Sequence, residues 1–151
     1  MDDVDFMREA LKEAKKAELE GEVPVGAVIV EGGEIIGRGH NRRETRQDPL
    51  AHAELEAIRE AASARSSFRL TGCTIYVTLE PCAMCAGALV NSRLKRLVFA
   101  ARDPKAGFVG SLGNLVQDVR LNHRLEVEAG VLAEESSRLL SSFFANLRRV
   151  L

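Results

Sequence analysis

The sequence predicts an α/β fold with three layers, in which a mixed sheet of about five strands is flanked by helices. Short apolar, β-branched segments alternate along the chain with longer segments of helical periodicity. The Gly32-Gly33 pair between two such segments is typical of a tight hairpin turn, which makes those strands antiparallel. The segments 74–79 and 97–101 are joined through a helix, so we expect them to be parallel.

The first half of the chain is predicted to contain two helices around a hairpin. Apolar residues at spacings of three and four, with charged residues between them, predict the first helix, and Gly21 ends it. Two β-branched runs flank the glycine pair and predict the strands. In chain order, these elements are a helix over 2–20, strands over 25–30 and 34–39, a polar loop over 40–50 and a helix over 52–64.

The second half is predicted to continue the alternation. Pro81 separates a strand from the next helix, and a short apolar run follows as a buried strand. A long loop with several glycines comes next, and loops of this length usually have a function. In chain order, these elements are a strand over 74–79, a helix over 83–94, a strand over 97–101, a loop over 102–123, a candidate strand over 125–127 and a helix over 132–150.

The composition is that of one globular domain over 1–151. Hydrophobic residues make up 46% and charged residues 28%, with a formal net charge of −1, which argues against disorder and against nucleic-acid binding through overall charge. Residues 1–22 hold four basic and eight acidic side chains (net −4), and 93–124 hold seven basic and two acidic (net +5). The second segment is either a basic patch or an ordinary solvated surface. The chain lacks an apolar run of about 20 residues, which a membrane helix needs, and it begins with acidic residues, unlike a secretory signal. We therefore expect a cytoplasmic protein without a membrane partner.

Three residues have the chemistry of a zinc site: His52, Cys82 and Cys85. Each lies at the predicted start of a helix, where the positive end of the helix dipole favours thiolates. The two cysteines are three residues apart and share one side of the first turn. Helices that follow strands can bring their starts together at one sheet edge.

The number of ligands bears on the kind of zinc site. Cys73 is interpreted as a buried apolar residue, and an odd cysteine count argues against a disulfide framework. His40 and His123 remain open as further ligands. One histidine and two cysteines would otherwise leave a position for water, as in catalytic zinc sites.

Glu54 lies two residues after His52, so it need not bind the same metal but can reach a water bound there. Zinc lowers the pKa of such a water from 15.7 to about 7, and a carboxylate can pass its proton to a leaving group. Each residue alone also has an ordinary explanation: a C-x-x-C pair occurs in structural zinc and redox sites, and a first-turn glutamate favours the helix dipole. The combination of His-x-Glu and Pro-Cys-x-x-Cys, each at a predicted strand-to-helix turn, indicates a catalytic zinc site far more specifically than either motif alone.

His52-Ala53-Glu54 followed by Pro81-Cys82-Ala83-Met84-Cys85 resembles the known signature of zinc nucleobase deaminases. Over nearly its whole length the chain resembles bacterial tRNA-specific adenosine deaminases of the TadA type, in the cytidine and deoxycytidylate deaminase superfamily. The segments that carry this resemblance are 23–28, 39–42, 48–54, 78–88, 101–107, 122–124 and the Phe143-Phe144 pair.

The resemblance implies a cytidine deaminase-like fold, a homodimer and one Zn²⁺ per subunit. It also implies hydrolytic conversion of adenosine to inosine at the wobble position of a tRNA anticodon stem-loop, with an arginine tRNA expected. The implied site residues are zinc ligands His52, Cys82 and Cys85; proton carrier Glu54; base-edge contacts Asn41 and the Ala53 backbone; apolar walls Val25 and Leu79; and flanking-nucleotide contacts Asp103, Phe144 and either Arg148 or Arg149, with Arg149 preferred.

Two other functions stay open from the residues. A deaminase of free bases or nucleosides, of guanine or cytosine type, would share the zinc site and differ only in its substrate. The basic stretch 93–124 and the terminal phenylalanines favour RNA. A zinc or redox module without enzymatic activity is the second alternative, and there Glu54 would serve only the helix start.

Overall fold

The computed structural model describes residues 1–150, which fold around one mixed sheet of five strands in the order β2-β1-β3-β4-β5. The hairpin β1–β2 is antiparallel, with Gly32 and Gly33 at positive φ in its turn, and β1 is also antiparallel to β3. The pairs β3–β4 and β4–β5 are parallel, as expected of strands joined by crossovers. The strands are β1 Gly26–Glu31, β2 Glu34–His40, β3 Thr74–Leu79, β4 Arg96–Ala101 and β5 Glu126–Ala129.

Helices cover both faces of the sheet, which confirms the predicted three-layer α/β/α class. Alternate residues of each central strand point to opposite faces. One face packs α1 and the segment that leads into α5 against Val28, Tyr76 and Val98, whereas the other packs α3 and α4 against their strand neighbours. The helices are α1 Asp3–Leu19, α2 Arg43–Arg46, α3 Ala53–Arg65, α4 Ala83–Asn91 and α5 Ala133–Val150.

Three predictions differ from the structure by more than one residue. The loop over 40–50 contains the short helix α2, and β5 extends beyond the predicted 125–127. Helix α4 ends at Asn91 and not at Leu94, because Ser92 caps it and Arg93 takes a positive φ that turns the chain towards β4. The predicted domain range ends at Leu151, which lies outside the described residues.

Close packing of α3 on β2 positions the start of α3. A Cβ atom at Gly39 would lie 2.3 Å from the carbonyl oxygen of Ala53, so only glycine allows this approach. The chain enters α3 at His52 and enters α4 at Cys82, which follows β3 after two residues. Because β2 and β3 are both antiparallel to β1, their carboxyl ends lie at the same edge of the sheet. Both helix starts lie beyond that edge. Over residues 1–150, no helix combines the length and apolar character needed to cross a membrane.

Candidate active site

The structure brings His52, Cys82 and Cys85 together, as the sequence predicted. His52 Nδ1 lies 3.8 Å from the Sγ atom of Cys82 and 3.5 Å from that of Cys85. All three ligand atoms lie within 4.8 Å of one another. His52 and Cys82 occupy the N-cap positions of α3 and α4, and Cys85 lies in the first turn of α4. The β2–β3 connection contains α3 and the β3–β4 connection contains α4, so the metal-binding group is formed by the starts of two helices.

The donor set fits a zinc ion. Tetrahedral zinc, with Zn–S bonds near 2.3 Å and Zn–N bonds near 2.05 Å, holds its nitrogen and sulfur ligands about 3.5–3.6 Å apart. The two observed nitrogen–sulfur distances, 3.5 and 3.8 Å, are close to this value. Within residues 1–150 this group has three members, so the protein could supply three ligands to a metal ion.

The other candidate ligands have different partners. His40 lies between Glu13 and Glu20, at 3.4 and 3.0 Å. His123 Nε2 lies 2.7 Å from the carbonyl oxygen of Leu94. Cys73 is buried, as predicted, and accepts a hydrogen bond from Arg65. Neither histidine completes the group.

The two cysteine thiols differ in acidity, because they are hydrogen-bonded to each other. The hydrogen bond from Cys85 lowers the pKa of Cys82 to about 4, with help from His52. The same hydrogen bond, burial and the nearby Glu54 carboxylate raise the pKa of the Cys85 thiol. A second thiolate here needs a neighbouring positive charge, which a divalent metal ion supplies.

Glu54 is buried in the first turn of α3 and lines the cavity beside this group. Burial raises the pKa of its carboxyl to about 6. A carboxyl with a pKa near neutrality can both accept and donate a proton at physiological pH, which is the property a general acid–base group needs.

A cavity of about 780 Å³ opens in front of the metal-binding group. Cys85 lies behind its wall and is fully buried. Arg149 is absent from the lining and Arg148 is present, because Arg148 lies one helical turn after Phe144 whereas Arg149 is rotated off that face. The predicted residues that line the cavity are Val25, Asn41, His52, Ala53, Glu54, Leu79, Cys82, Asp103 and Phe144.

The amide of Asn41 is oriented by its own segment. Its Nδ2 donates to the carbonyl oxygen of Val23 at 3.2 Å, and its Oδ1 accepts from the backbone N–H of Arg43 at 3.2 Å. One amide hydrogen and one lone pair remain for a ligand in the cavity. Asn41 is thus held in place with capacity to read a base edge.

Basic side chains at the cavity were only partly predicted. Arg102 and Lys105 belong to the basic stretch 93–124, whereas Arg43 carried no signal beyond its place in a polar loop. Most other cations of that stretch lie elsewhere: Arg96 pairs with Asp3 and Arg120 with Asp118. The predicted patch is therefore divided between this cavity and ordinary surface pairs.

Glu80 and Glu22 are buried carboxylates near the cavity that sequence reasoning missed. Glu80 lines the cavity and accepts hydrogen bonds from the segment 103–111, and Glu22 accepts from Glu44 and Thr45. Glu80 stands directly before Pro81-Cys82, and this position next to the zinc motif was the available signal.

Comparison with known proteins places the chain in a family. A family model described as MafB19-like deaminase matches residues 1–148. A tRNA-specific adenosine deaminase from Bacillus subtilis (strain 168) is 58% identical over 144 residues, which cover 95% of this chain and 89% of the relative.

Two solved structures share the fold. One, from work on A-to-I editing by tRNA:A34 deaminases at the wobble position of transfer RNA, has a TM-score of 0.86 at 43% identity and covers 89% of this chain and 98% of its own. A guanine deaminase from Nitrosomonas europaea has a TM-score of 0.81 at 25% identity and covers 93% of this chain and 83% of its own. Identity over half or more of the residues along nearly the whole chain, on a matching fold, shows that this protein belongs to the family of tRNA-specific adenosine deaminases.

Proposed function

We propose that this protein hydrolyses adenosine to inosine at the wobble position of a tRNA anticodon, with an arginine tRNA as the expected substrate. One observation carries the proposal: a buried carboxylate, Glu54, lines the cavity that opens in front of a His-Cys-Cys group. That pairing suits hydrolysis, because one group binds a metal and the other moves protons.

His52, Cys82 and Cys85 would hold one zinc ion per subunit. Zinc bound there would make water acidic enough to supply a nucleophile near neutral pH, by lowering its pKa from 15.7 to about 7. The three residues would hold the ion, and the cavity in front of them has space for water and substrate. A redox role for the C-x-x-C pair would not require a histidine 3.5 Å from one of its thiols or a carboxylate beside the pair.

Glu54 would carry protons between water and the base. Its carboxylate accepts one proton from the attacking water and delivers it to the ring nitrogen. It then accepts the second proton from the new C6 hydroxyl group and delivers it to the departing amine, as the C6 carbonyl forms and the C6–N bond breaks. Water adds to C6 of adenine and ammonia leaves, which converts adenosine to inosine. The raised pKa of Glu54 suits both halves of this transfer.

The cavity walls would select and orient the flipped base. Val25 and Leu79 supply apolar surface, and Asn41 and the backbone of Ala53 supply polar contacts to its edge. A single-stranded anticodon loop can extend its bases into such a pocket at low cost.

Flanking nucleotides would contact the outer rim. Arg43, Arg102, Lys105 and Arg148 surround the cavity with positive charge, and Phe144 offers a surface for stacking. Asp103 lies among them, and of the two terminal arginines Arg148 has the suitable position. Four cations are more than a neutral free base needs, which favours RNA over a small substrate.

The same proposal includes a single zinc-dependent deaminase domain over 1–151 in each chain. Two such chains would form a homodimer in the cytoplasm. Three free cysteines suit a reducing compartment, which is where tRNA is processed. Light scattering of the purified protein measures the oligomeric state directly.

The test is inosine formation in an arginine tRNA stem-loop with adenosine at the wobble position, beside free adenosine, cytidine and guanine. Glu54→Ala should retain one zinc ion per chain and lose turnover by about 10²–10⁴-fold, whereas Cys82→Ala should lose the metal. Glu60→Ala is the matched control, because Glu60 is exposed on the same helix and does not line the cavity.

The outcomes separate the alternatives. Ammonia release from guanine or a nucleoside, with no inosine in the stem-loop, would mean that the protein uses the same mechanism on a free base or nucleoside. The similarity to the Nitrosomonas europaea guanine deaminase makes this the outcome to exclude. Metal binding without any reaction would support a module that is not an enzyme. Loss of zinc from Glu54→Ala would contradict the separate roles of ligand and proton carrier.

A further inference from the structure

Each of the two segments that carry cations at the cavity rim donates hydrogen bonds to a buried glutamate. On one side, 41–46 carries Asn41 and Arg43; on the other, 102–111 carries Arg102 and Lys105. Glu22 is 1% exposed and Glu80 is 2% exposed, although glutamates are rarely buried to this extent without a role.

Glu80 binds its segment through both carboxylate oxygens. Oε1 accepts from the backbone N–H of Asp103 at 3.0 Å and from the hydroxyl of Ser111. Oε2 accepts from the backbone N–H groups of Val109 and Ser111, both at 3.0 Å. These four hydrogen bonds match the roughly four acceptor sites of a carboxylate. The backbone also approaches closely, since a Cβ at Gly107 would lie 2.3 Å from the Glu80 carboxyl carbon.

Glu22 binds the opposite segment in the same manner. Its oxygens accept from the backbone N–H of Glu44 at 3.2 Å, and from the backbone N–H and hydroxyl of Thr45, both at 2.6 Å. Arg42, the N-cap residue of α2, makes no side-chain cap. Glu22 therefore supplies, from a distant part of the chain, the acceptors that the first turn of α2 lacks.

The hydrogen bonds favour the ionised form of both carboxyl groups, which accepts hydrogen bonds through both oxygens. Burial alone would raise their pKa values, but the hydrogen bonds from the two rim segments hold the pKa of each below its ordinary value. A glutamine in the same place keeps the shape but replaces one acceptor oxygen with a donor, so it cannot bind all the donors now present.

We propose that Glu22 and Glu80 are paired positioning residues, which hold the two cationic rim segments at the spacing required to bind the RNA backbone around the metal-binding cavity. This inference rests on the proposed function for its substrate. Neither residue contacts the reacting atoms in this assignment; each acts through the backbone of the segment that it binds.

Amide hydrogen exchange tests the structural half without any substrate. Glu80→Gln should speed exchange at the amides of Asp103, Val109 and Ser111 and leave Glu44 and Thr45 unchanged, and Glu22→Gln should do the reverse. Each variant is thus a control for the other. Glu13→Gln is the third control, because Glu13 is also buried but pairs with Lys16, Arg38 and His40, outside the rim segments.

Kinetics with the stem-loop tests the functional half. Both Glu22→Gln and Glu80→Gln should raise KM by about 10–100-fold, the loss expected when charged hydrogen-bonding contacts to phosphates are broken, while kcat changes less than about threefold and one zinc ion per chain is retained. The dependence of kcat/KM on salt should also weaken, because fewer cations would contact phosphates. Glu13→Gln should leave all these values near wild type.

Three results would overturn the proposal: unchanged exchange in both rim segments, exchange that rises throughout the molecule with equal loss of kcat, or an unchanged KM despite local loosening. If the wild-type protein itself fails to act on the stem-loop, the proposed function fails. The exchange experiment still decides whether the two glutamates hold their segments.

Discussion

The contact between β2 and α3 offers a direct test of how far the site depends on the position of one helix. In Gly39→Ala, the new Cβ would lie 2.3 Å from the carbonyl oxygen of Ala53 and 2.7 Å from the backbone nitrogen of Ala57. Ordinary van der Waals contact begins at 3.4 Å, so the first turn of α3 must retreat by about 1.1 Å. That turn carries Glu54 and begins at His52.

Two losses are expected from this displacement. Overpacking of this kind lowers the free energy of unfolding by about 1–3 kcal/mol. A shift of about 1 Å in reacting groups lowers turnover by about 100-fold, equivalent to about 2.7 kcal/mol of activation free energy. Turnover of the folded Gly39→Ala protein should therefore fall far more than its folded fraction does.

Urea unfolding, metal content and inosine formation measure these quantities on one preparation. Gly26→Ala is the matched control, because its Cβ would lie 2.1 Å from the carbonyl oxygen of Ala10 and would displace α1, on the opposite face of the sheet. It should lose comparable stability and keep turnover near wild type. Wild-type turnover in Gly39→Ala, or equal losses of turnover in both variants, would refute the reasoning.

Three further predictions concern the rim, the N-terminal helix and the third cysteine. Arg148→Ala should raise KM for the stem-loop several-fold and reduce its salt dependence, whereas Arg149→Ala should change both little, as steady-state kinetics at several salt concentrations will show. Asp3→Asn should cost about 1 kcal/mol of unfolding free energy at pH 7, discounted for partial exposure. The hydrogen bonds from Arg96 lower the folded-state pKa of Asp3 below 3.8, so this contribution is present above that pH and is lost as the pH falls through the folded-state value. In urea titrations, the difference in unfolding free energy between the two proteins should be smaller at pH 3 than at pH 7. Cys73→Ala should retain one zinc ion per chain by elemental analysis, because Cys73 lies outside the ligand group.

The fold was predictable where local pattern and tertiary packing agree. Helix α1, the glycine hairpin and β3 follow directly from apolar spacing and turn residues. The end of α4 was not, because Leu94 continues the apolar pattern while the positive φ of Arg93 turns the chain. Helix α2 was missed because its stabilising acceptor, Glu22, lies outside its own segment.

The centre of the site was predictable because its chemistry lies in short motifs. His52, Glu54 and the two cysteines are encoded by residue types at fixed spacing, and the topology only has to bring two helix starts together. The rim was less predictable, since Arg148 and Arg149 are equivalent in composition and differ only in rotation about α5. The partners of Glu80 are spread over a loop without regular structure, so no periodic signal marks them.

The division of the ligand group between α3 and α4 has a consequence for the lifetime of the protein. His52 and Cys82 are 30 residues apart in the chain, so a zinc ion bound by both would act as a removable cross-link between two helices that meet on one face of the sheet. An ion that binds the folded state in preference to the unfolded one shifts the folding equilibrium by mass action. A chain synthesised without metal would open more often and be degraded sooner. Zinc supply would then set the steady-state abundance of this protein as well as its activity.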